Sequence, residues 1–355
     1  MIDQPSRFGR FVLGAATSKY NKRECGPLVR VLSVAYTDGD LSVLTVACHH
    51  TSKLHSLEFH KPTNVGNMSV RLLPRLVNRF PTLRSLIAES LTMESWTDVD
   101  LLCQSCPELE ILQVSFDVNR HVDDEITDDN LDQLFTKIPK LRCLSFWGPP
   151  LRASQWGKTL VKYCRDLRCI RLDHCGASGL EVVLDIWKGC PNLECVSLRD
   201  YPFAFALDSD VGEVNVQMGL RSLLFAGIGE WNEAVGAFMM GAPNLETLYL
   251  EAFQEEGGKN GAEGVGRGFA RAAVGLRRLK ALSLVGLIGG DNGGVVESLG
   301  KLVERNPKLR ALNLATFPGG PKLTDTDLTI LAPLLRTIPI THLELYSQSS
   351  FTEQT

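Results

Sequence analysis

No stretch of this 355-residue chain approaches the roughly 20 apolar residues that a membrane-crossing helix needs, so no membrane partner is expected. The N-terminus, Met-Ile-Asp, has no basic leader, and its apolar run from Phe11 to Ala16 is too short for a signal peptide. Charge of one sign is also scarce. Lys and Arg number 37 against 41 Asp and Glu, a net charge of −4, whereas a nucleic-acid-binding domain carries a strongly basic footprint. Nucleic acid is therefore not expected as a partner. Catalytic signatures are missing as well: G-x-S-x-G, H-E-x-x-H and a phosphate-binding loop do not occur. Nothing in a composition with 44% hydrophobic and 22% charged residues points to disorder or collagen. The ten cysteines read as reduced thiols of a cytoplasmic or nuclear protein, because oxidised pairs belong mainly to secreted chains. The sequon Asn67-Met-Ser69 would matter only on the secretory route.

What the chain does have is a repeat. Proline, one residue, then L-x-x-L-x-L reads clearly at Pro107–Val114, Pro191–Leu198, Pro243–Leu250 and Pro307–Leu314. Twelve copies align on Val29, Leu54, Leu83, Leu109, Leu141, Leu167, Leu193, Leu220, Leu245, Leu279, Leu309 and Ile340, at intervals of 25 to 34 residues. The third position is nearly always small, as in Ser56, Ser85, Cys143, Cys169, Cys195, Ser222, Ala281 and Ala311. Parallel strands in register lie about 4.8 Å apart, so small side chains stack easily in ladders. The second position is mostly charged with mixed signs, among them Arg84, Glu110, Arg142, Arg221, Glu246, Lys280 and Arg310. That row reads as a solvated strand edge rather than a basic stripe.

Helices are expected between the strands. Leu180, Val183, Leu184 and Trp187 fall on one helical face. So do Leu328, Leu331, Leu335 and Ile338, behind a Thr324-x-x-Asp327 start like a capping box. Glu297–Val303 is a third candidate. Each unit is thus strand, turn, helix and return, and stacked units share one continuous core. Arg199–Met218 is expected to be irregular, and the Gly-rich run Gly257–Gly268 to be a loop.

The units at Cys106-Pro-Glu-Leu109-Glu and Cys190-Pro-Asn-Leu193-Glu resemble the cysteine-containing class of leucine-rich repeats. So do the helix-leading segments Ile126-Thr-Asp-Asp-Asn-Leu131 and Leu323-Thr-Asp-Thr-Asp-Leu328. This class is found above all in F-box proteins, the substrate receptors of ubiquitin ligases, and in relatives of ribonuclease inhibitor; the loose spacing is most like fungal F-box proteins. The resemblance implies an α/β leucine-rich-repeat solenoid of about 12 repeats. It would be curved, with parallel strands on the concave face and helices or irregular segments on the convex face. An N-terminal segment or cap would occupy 1–28, the repeat domain 29–346 and a polar tail 347–355. No F-box is recognisable before the first repeat, since Phe8-Gly-Arg-Phe-Val-Leu13 does not match the three-helix docking motif. A ligase adaptor is expected as partner only if an F-box is supplied outside this chain.

Other constellations read more plainly as structure. Cys103-Gln-Ser-Cys106 has finger spacing, but no second pair completes a four-ligand zinc set. Cys48, His49, His50, His55 and His60 make no recognised ligand spacing. Residues 121–132 are acidic but lack the mid-loop glycine of a calcium loop and read as a capped helix start. Gly264-Val-Gly266-Arg-Gly268 fails dinucleotide spacing. No catalytic residues, metal or cofactor are expected.

What remains is a surface. Positions three, five and seven of each repeat should point to the concave face, which no helix covers. Position seven supplies Trp147, Asp173, Arg199 and Glu251, and position five supplies Arg171 and Tyr249. Aromatic and arginine side chains supply most binding hot spots, so these six form the candidate partner-binding set. The expected function is non-catalytic protein recognition, as the substrate-binding part of an F-box-like receptor. The alternative is a ligase-independent scaffold, an inhibitor or a GTPase-activating protein.

Overall fold

The computed structural model describes residues 30–35, 53–60, 68–69, 80–93, 96–116, 127–147, 156–173, 180–199, 216–228, 233–252, 269, 273, 275–286, 293–315 and 325–346. The chain divides into two compact units, Met1–Ser178 and Gly179–Thr355. The N-terminal unit holds β1 (Val31–Ala35), β2 (Ser56–His60), β3 (Met68–Ser69), β4 (Ser85–Met93), β5 (Ile111–Phe116), β6 (Cys143–Trp147) and β7 (Cys169–Asp173). Its helices are α1 (Trp96–Ser105), α2 (Asp128–Lys137) and α3 (Trp156–Tyr163). The C-terminal unit holds β8 (Cys195–Arg199), β9 (Ser222–Ile228), β10 (Thr247–Ala252), β11 (Ala281–Val285), β12 (Ala311–Ala315) and β13 (His342–Tyr346). Its helices are α4 (Leu180–Gly189), α5 (Glu233–Met240), α6 (Gly293–Arg305) and α7 (Asp325–Leu335).

Every repeat strand begins at the third position of its repeat. Within each unit the strands pair in parallel in chain order, apart from the two-residue β3, which pairs with β4. The register follows the repeat: Ile111 faces Cys143, which faces Cys169, and Thr247 faces Ala281, which faces Ala311. The physical reason is the two-residue period of a strand. A slip by one would turn the leucines at positions four and six out of the core. Leu144, Phe146, Leu248 and Leu250 are all buried.

Ahead of each strand lies a short lead, which in several repeats carries a proline turn. At Cys106-Pro-Glu-Leu109 the Leu109 N–H donates to the Cys106 carbonyl at 3.1 Å, closing a turn with proline at its second position, where its fixed φ is welcome. The position-two carbonyls then accept from the following repeat: Arg84 O takes bonds from Glu110 N and Ile111 N at 2.7 and 2.9 Å. The leads are therefore stitched together as regularly as the strands.

The expected helices are present, except that α7 ends at Leu335 and Ile338 of its expected stripe lies beyond it. Thr127 caps α2, with Asn130 N donating to Thr127 Oγ1 at 3.3 Å and Thr127 N donating to Asn130 Oδ1 at 3.0 Å. This is the reciprocal arrangement of a capping box, so the acidic stretch before Leu131 is a helix start. Leu131, Leu134 and Phe135 carry the buried face of α2. In the C-terminal unit Trp187 of α4 meets Phe238 of α5 edge-on, ring centroids 4.9 Å apart, and Phe238 also meets Phe225 of β9 at 6.2 Å. Helix α6 spans Gly293–Arg305, longer than the expected Glu297–Val303. Thr324, most of Arg199–Met218, the Gly257–Gly268 run, the 48–50 cysteine–histidine group, segment 1–28 and tail 347–355 lie outside the described residues.

Candidate functional site

The six candidate residues fall in two groups, one per unit. In the N-terminal unit Trp147 of β6 stands opposite Asp173 of β7, and Ser145 opposite Arg171. On the other side Ser115 of β5 faces Trp147. All of these share one sheet face, because alternate strand residues point the same way. Leu144, Phe146, Ile170 and Leu172 take the opposite face and are buried. The open face is graded in depth: Ser115, Ser145 and Asp173 are buried, while Trp147 and Arg171 are half-buried.

Asp173 is only 7% exposed and accepts from Arg171 Nε at 3.0 Å. A buried carboxylate needs such a partner, and the bond at Nε fixes the direction in which the Arg171 guanidinium lies. Asp173 thus supports Arg171 and presents little contact surface itself. The resulting site is a half-buried indole next to an oriented arginine, over a floor of two serines. It offers an apolar anchor and charge-assisted hydrogen bonds, with no nucleophile–base pair.

The C-terminal unit repeats the device. Tyr249 Oη donates to Glu251 Oε2 at 2.7 Å, again two residues along one strand, and both side chains are half-buried. Tyr249 stands between Leu224 of β9 and Ser283 of β11. Arg199, at the end of β8, is separated from Tyr249 by all of β9. Its Nε is buried without a hydrogen-bond partner among the described residues. Tyr249 and Glu251 are brought together; Arg199 is not brought to them.

Sequence reasoning named both pairs but not their bonding. The signal was available: Arg171 with Asp173, and Tyr249 with Glu251, lie at i and i+2 of a strand, the spacing that puts two side chains side by side. The buried serines Ser115, Ser145 and Ser197 were passed over because small polar residues give no pattern of their own.

The cysteines have a structural task. Cys106 Sγ lies 3.7 Å from the Phe80 carbonyl, and Cys164 Sγ 3.8 Å from the Ile138 carbonyl, donating in both cases to the preceding repeat. In the C-terminal unit Asn306 does this with an amide, its Nδ2 donating to Leu276 O at 3.0 Å and Leu302 O at 2.7 Å. Gln217 Nε2 likewise donates to Trp187 O. Burial pushes the Cys106 thiol up to about 12; burial, then neighbouring Cys106, raises Cys103 well above its ordinary value. Both stay protonated, and a thiol is neither nucleophile nor metal ligand. Among the described residues no group of three or more His, Cys, Asp or Glu is placed to hold a metal ion, and no helix is long and apolar enough to cross a membrane.

No protein-family model and no curated protein matches the chain. Among solved structures, a chain of the Rad7 and Elc1 complex in yeast is similar at 14% identity, over 92% of this chain and 79% of that one, with a TM-score of 0.58. An internalin, InlF, from Listeria monocytogenes is similar at 12% identity, over 96% of this chain and 95% of that one, with a TM-score of 0.45. With the in-register repeat strands of each unit, the first of these likenesses gives the chain the leucine-rich-repeat fold.

Proposed function

We propose that this chain is a non-catalytic protein-recognition solenoid that takes a protein partner on the helix-free face of its sheet. The observation that carries the reading is the pair of strand-borne anchors, Trp147 beside an oriented Arg171, and Tyr249 tied to Glu251. Rigid aromatic and arginine side chains over a buried polar floor suit a binding hot spot. The finer reading is the substrate-binding part of an F-box-like ubiquitin-ligase receptor of the cysteine-containing repeat class. It is supported by the Cys-Pro leads at Cys106 and Cys190, and by a similar fold that works in complex with another protein in yeast. On this reading the protein is cytoplasmic or nuclear, and its ten cysteines titrate as free thiols under denaturant. None of the seven described cysteines is in a disulfide.

The test is affinity capture of partners, read by mass spectrometry, with wild-type chain and a Trp147→Ala, Tyr249→Ala variant side by side. A ligase adaptor and cullin, plus a client lost from the variant, are the expected outcome. A GTPase as the main partner would replace the receptor with a GTPase-activating role. Partners retained undiminished by the variant would remove the open-face site.

A further inference from the structure

The leads of the two units carry their charges differently. In the N-terminal unit the leads of β4, β5 and β6 alternate in sign. Arg84 and Arg142 flank Glu110 at 3.6 and 3.4 Å, and one step earlier in the lead Lys140 meets Glu108 at 2.6 Å. Equivalent positions of adjacent leads are therefore within side-chain reach. In the C-terminal unit Glu246 is likewise flanked by Arg221 at 3.6 Å and Lys280 at 2.6 Å.

Beyond Glu246 the alternation stops. The lead Leu276-Arg-Arg-Leu-Lys280 is followed by Asn306-Pro-Lys-Leu-Arg310, and Arg310 N donates to Lys280 O at 2.9 Å. Where the N-terminal unit sets Lys140 against Glu108, this unit sets Lys308 against Arg278. Where the other sets Arg142 against Glu110, this one sets Arg310 against Lys280. Arg277, Arg278, Lys280, Lys308 and Arg310 are all exposed. Among the described residues only Lys280 makes an ion pair, and the others have none. Five cations thus face one carboxylate in a chain whose net charge is −4. Like charges held opposite one another are destabilising, and nothing in the repeat demands them: the leads of β4, β5 and β6 fill the same positions with alternating signs, although Arg142 and Arg168, in the leads of β6 and β7, are also alike.

We propose that this edge of the C-terminal unit is a docking surface for an acidic peptide segment of a partner protein, whose carboxylates bridge the Arg278–Lys308 and Lys280–Arg310 pairs. The surface is separate from the open sheet face and does not depend on it. Three neighbouring leads about 4.8 Å apart match the width of a single peptide. Neither basic lead contains an aromatic residue on which nucleic-acid bases could stack. The acidic balance of the whole chain repels any long polyanion that outruns the patch.

The test uses the full chain and a fluorescein-labelled peptide of alternating glutamate and serine, titrated by anisotropy at low salt. Single-stranded DNA and phosphatidylserine vesicles are run in parallel. Lys308→Glu with Arg310→Glu should weaken peptide binding by at least about tenfold, since repulsive juxtaposition is costly. The same variant should melt no lower than wild type, because it installs the alternating pattern of the β4, β5 and β6 leads. Lys158→Glu with Lys188→Glu makes the same net-charge change elsewhere and should alter binding less than about twofold. Should the reversal variant fold poorly, Lys308→Gln with Arg310→Gln should still lower affinity, by less. Failure of the wild-type chain to bind the peptide, equal binding by wild type and the patch variants, or tighter binding of DNA or vesicles would overturn the proposal. None of these outcomes touches the Trp147 and Tyr249 experiment.

Discussion

The leads of β4, β5 and β6 are electrically matched, whereas those at β11 and β12 are not, although both are built on the same L-x-x-L-x-L frame. Glu110 lies between two arginines, while Lys280 and Arg310 lie side by side with a single carboxylate, Glu246, on one flank. The frame tolerates both because lead side chains point to solvent, where a pair is worth at most about 1 kcal/mol. Core positions allow no such freedom. In a stacked repeat the buried columns are dictated by packing. The exposed columns are where two stretches of one frame can be set to different tasks.

The sharpest way to break the comparison is to show that the cores are unequal. Leu144→Asp in β6 and Leu248→Asp in β10, both buried, should each cost on the order of 4 kcal/mol, because each buries a carboxylate with no partner. Denaturant melts read by circular dichroism should give similar losses for both. A much smaller loss at one site would mean that the two units do not share a packing logic.

Next in size are the binding anchors. With a captured partner in hand, Trp147→Ala and Tyr249→Ala should each weaken binding by about 2 kcal/mol, as central aromatic anchors do. The thermal midpoint should shift little in either, as the inward leucines stay in place. Arg171→Ala is the companion in the N-terminal unit. It leaves Asp173 buried beside no guanidinium and should lower stability more than Tyr249→Ala does, since Glu251 stays half-exposed to water.

A smaller effect tests the matched edge directly. Glu110→Gln leaves Arg84 and Arg142 without their shared carboxylate and should cost about 1 kcal/mol at low salt, fading as salt is added. If the melt is unchanged at low salt, the alternation in the N-terminal unit carries no stability, and the contrast with β11 and β12 loses its energetic meaning.

The smallest expected change concerns Glu246. The hydrogen bond from Lys280 is the largest influence lowering its carboxyl below the ordinary range, followed against it by desolvation and aided by the charges of Lys280, Arg221 and Arg278. A carboxyl depressed in the folded state contributes stability above the ordinary glutamate value near 4.3, and that stability is lost as pH falls through the lower folded value. Wild type should therefore show a slight extra loss on acidification that Glu246→Gln lacks, measured as paired melts from neutral pH downward at low salt.

Much of this molecule was legible in the chain. The twelve repeats, the strand starts at position three, the buried columns at positions four and six, and the helix start at Thr127 all follow from local rules. The two-residue strand period forces alternate leucines inward, a proline turn sets several of the leads, and a side-chain oxygen caps an open helix end. The open-face positions of Trp147, Arg171 and Tyr249 follow from the same count.

Tertiary structure decided which of those residues act together. Stacking places the Cys106 thiol on the Phe80 carbonyl 26 residues earlier, and Lys140 on Glu108 across 32 residues. Those distances depend on loops whose lengths vary from repeat to repeat. The depth of Asp173, the bonding of Tyr249 to Glu251 and the like-charge columns at Arg278–Lys308 and Lys280–Arg310 depend on the same stacking. Sequence read along the chain shows mixed charge at position two. Only the sideways approach of neighbouring leads, about 4.8 Å per repeat, turns that mixture into matched pairs at one place and an uncompensated cluster at another.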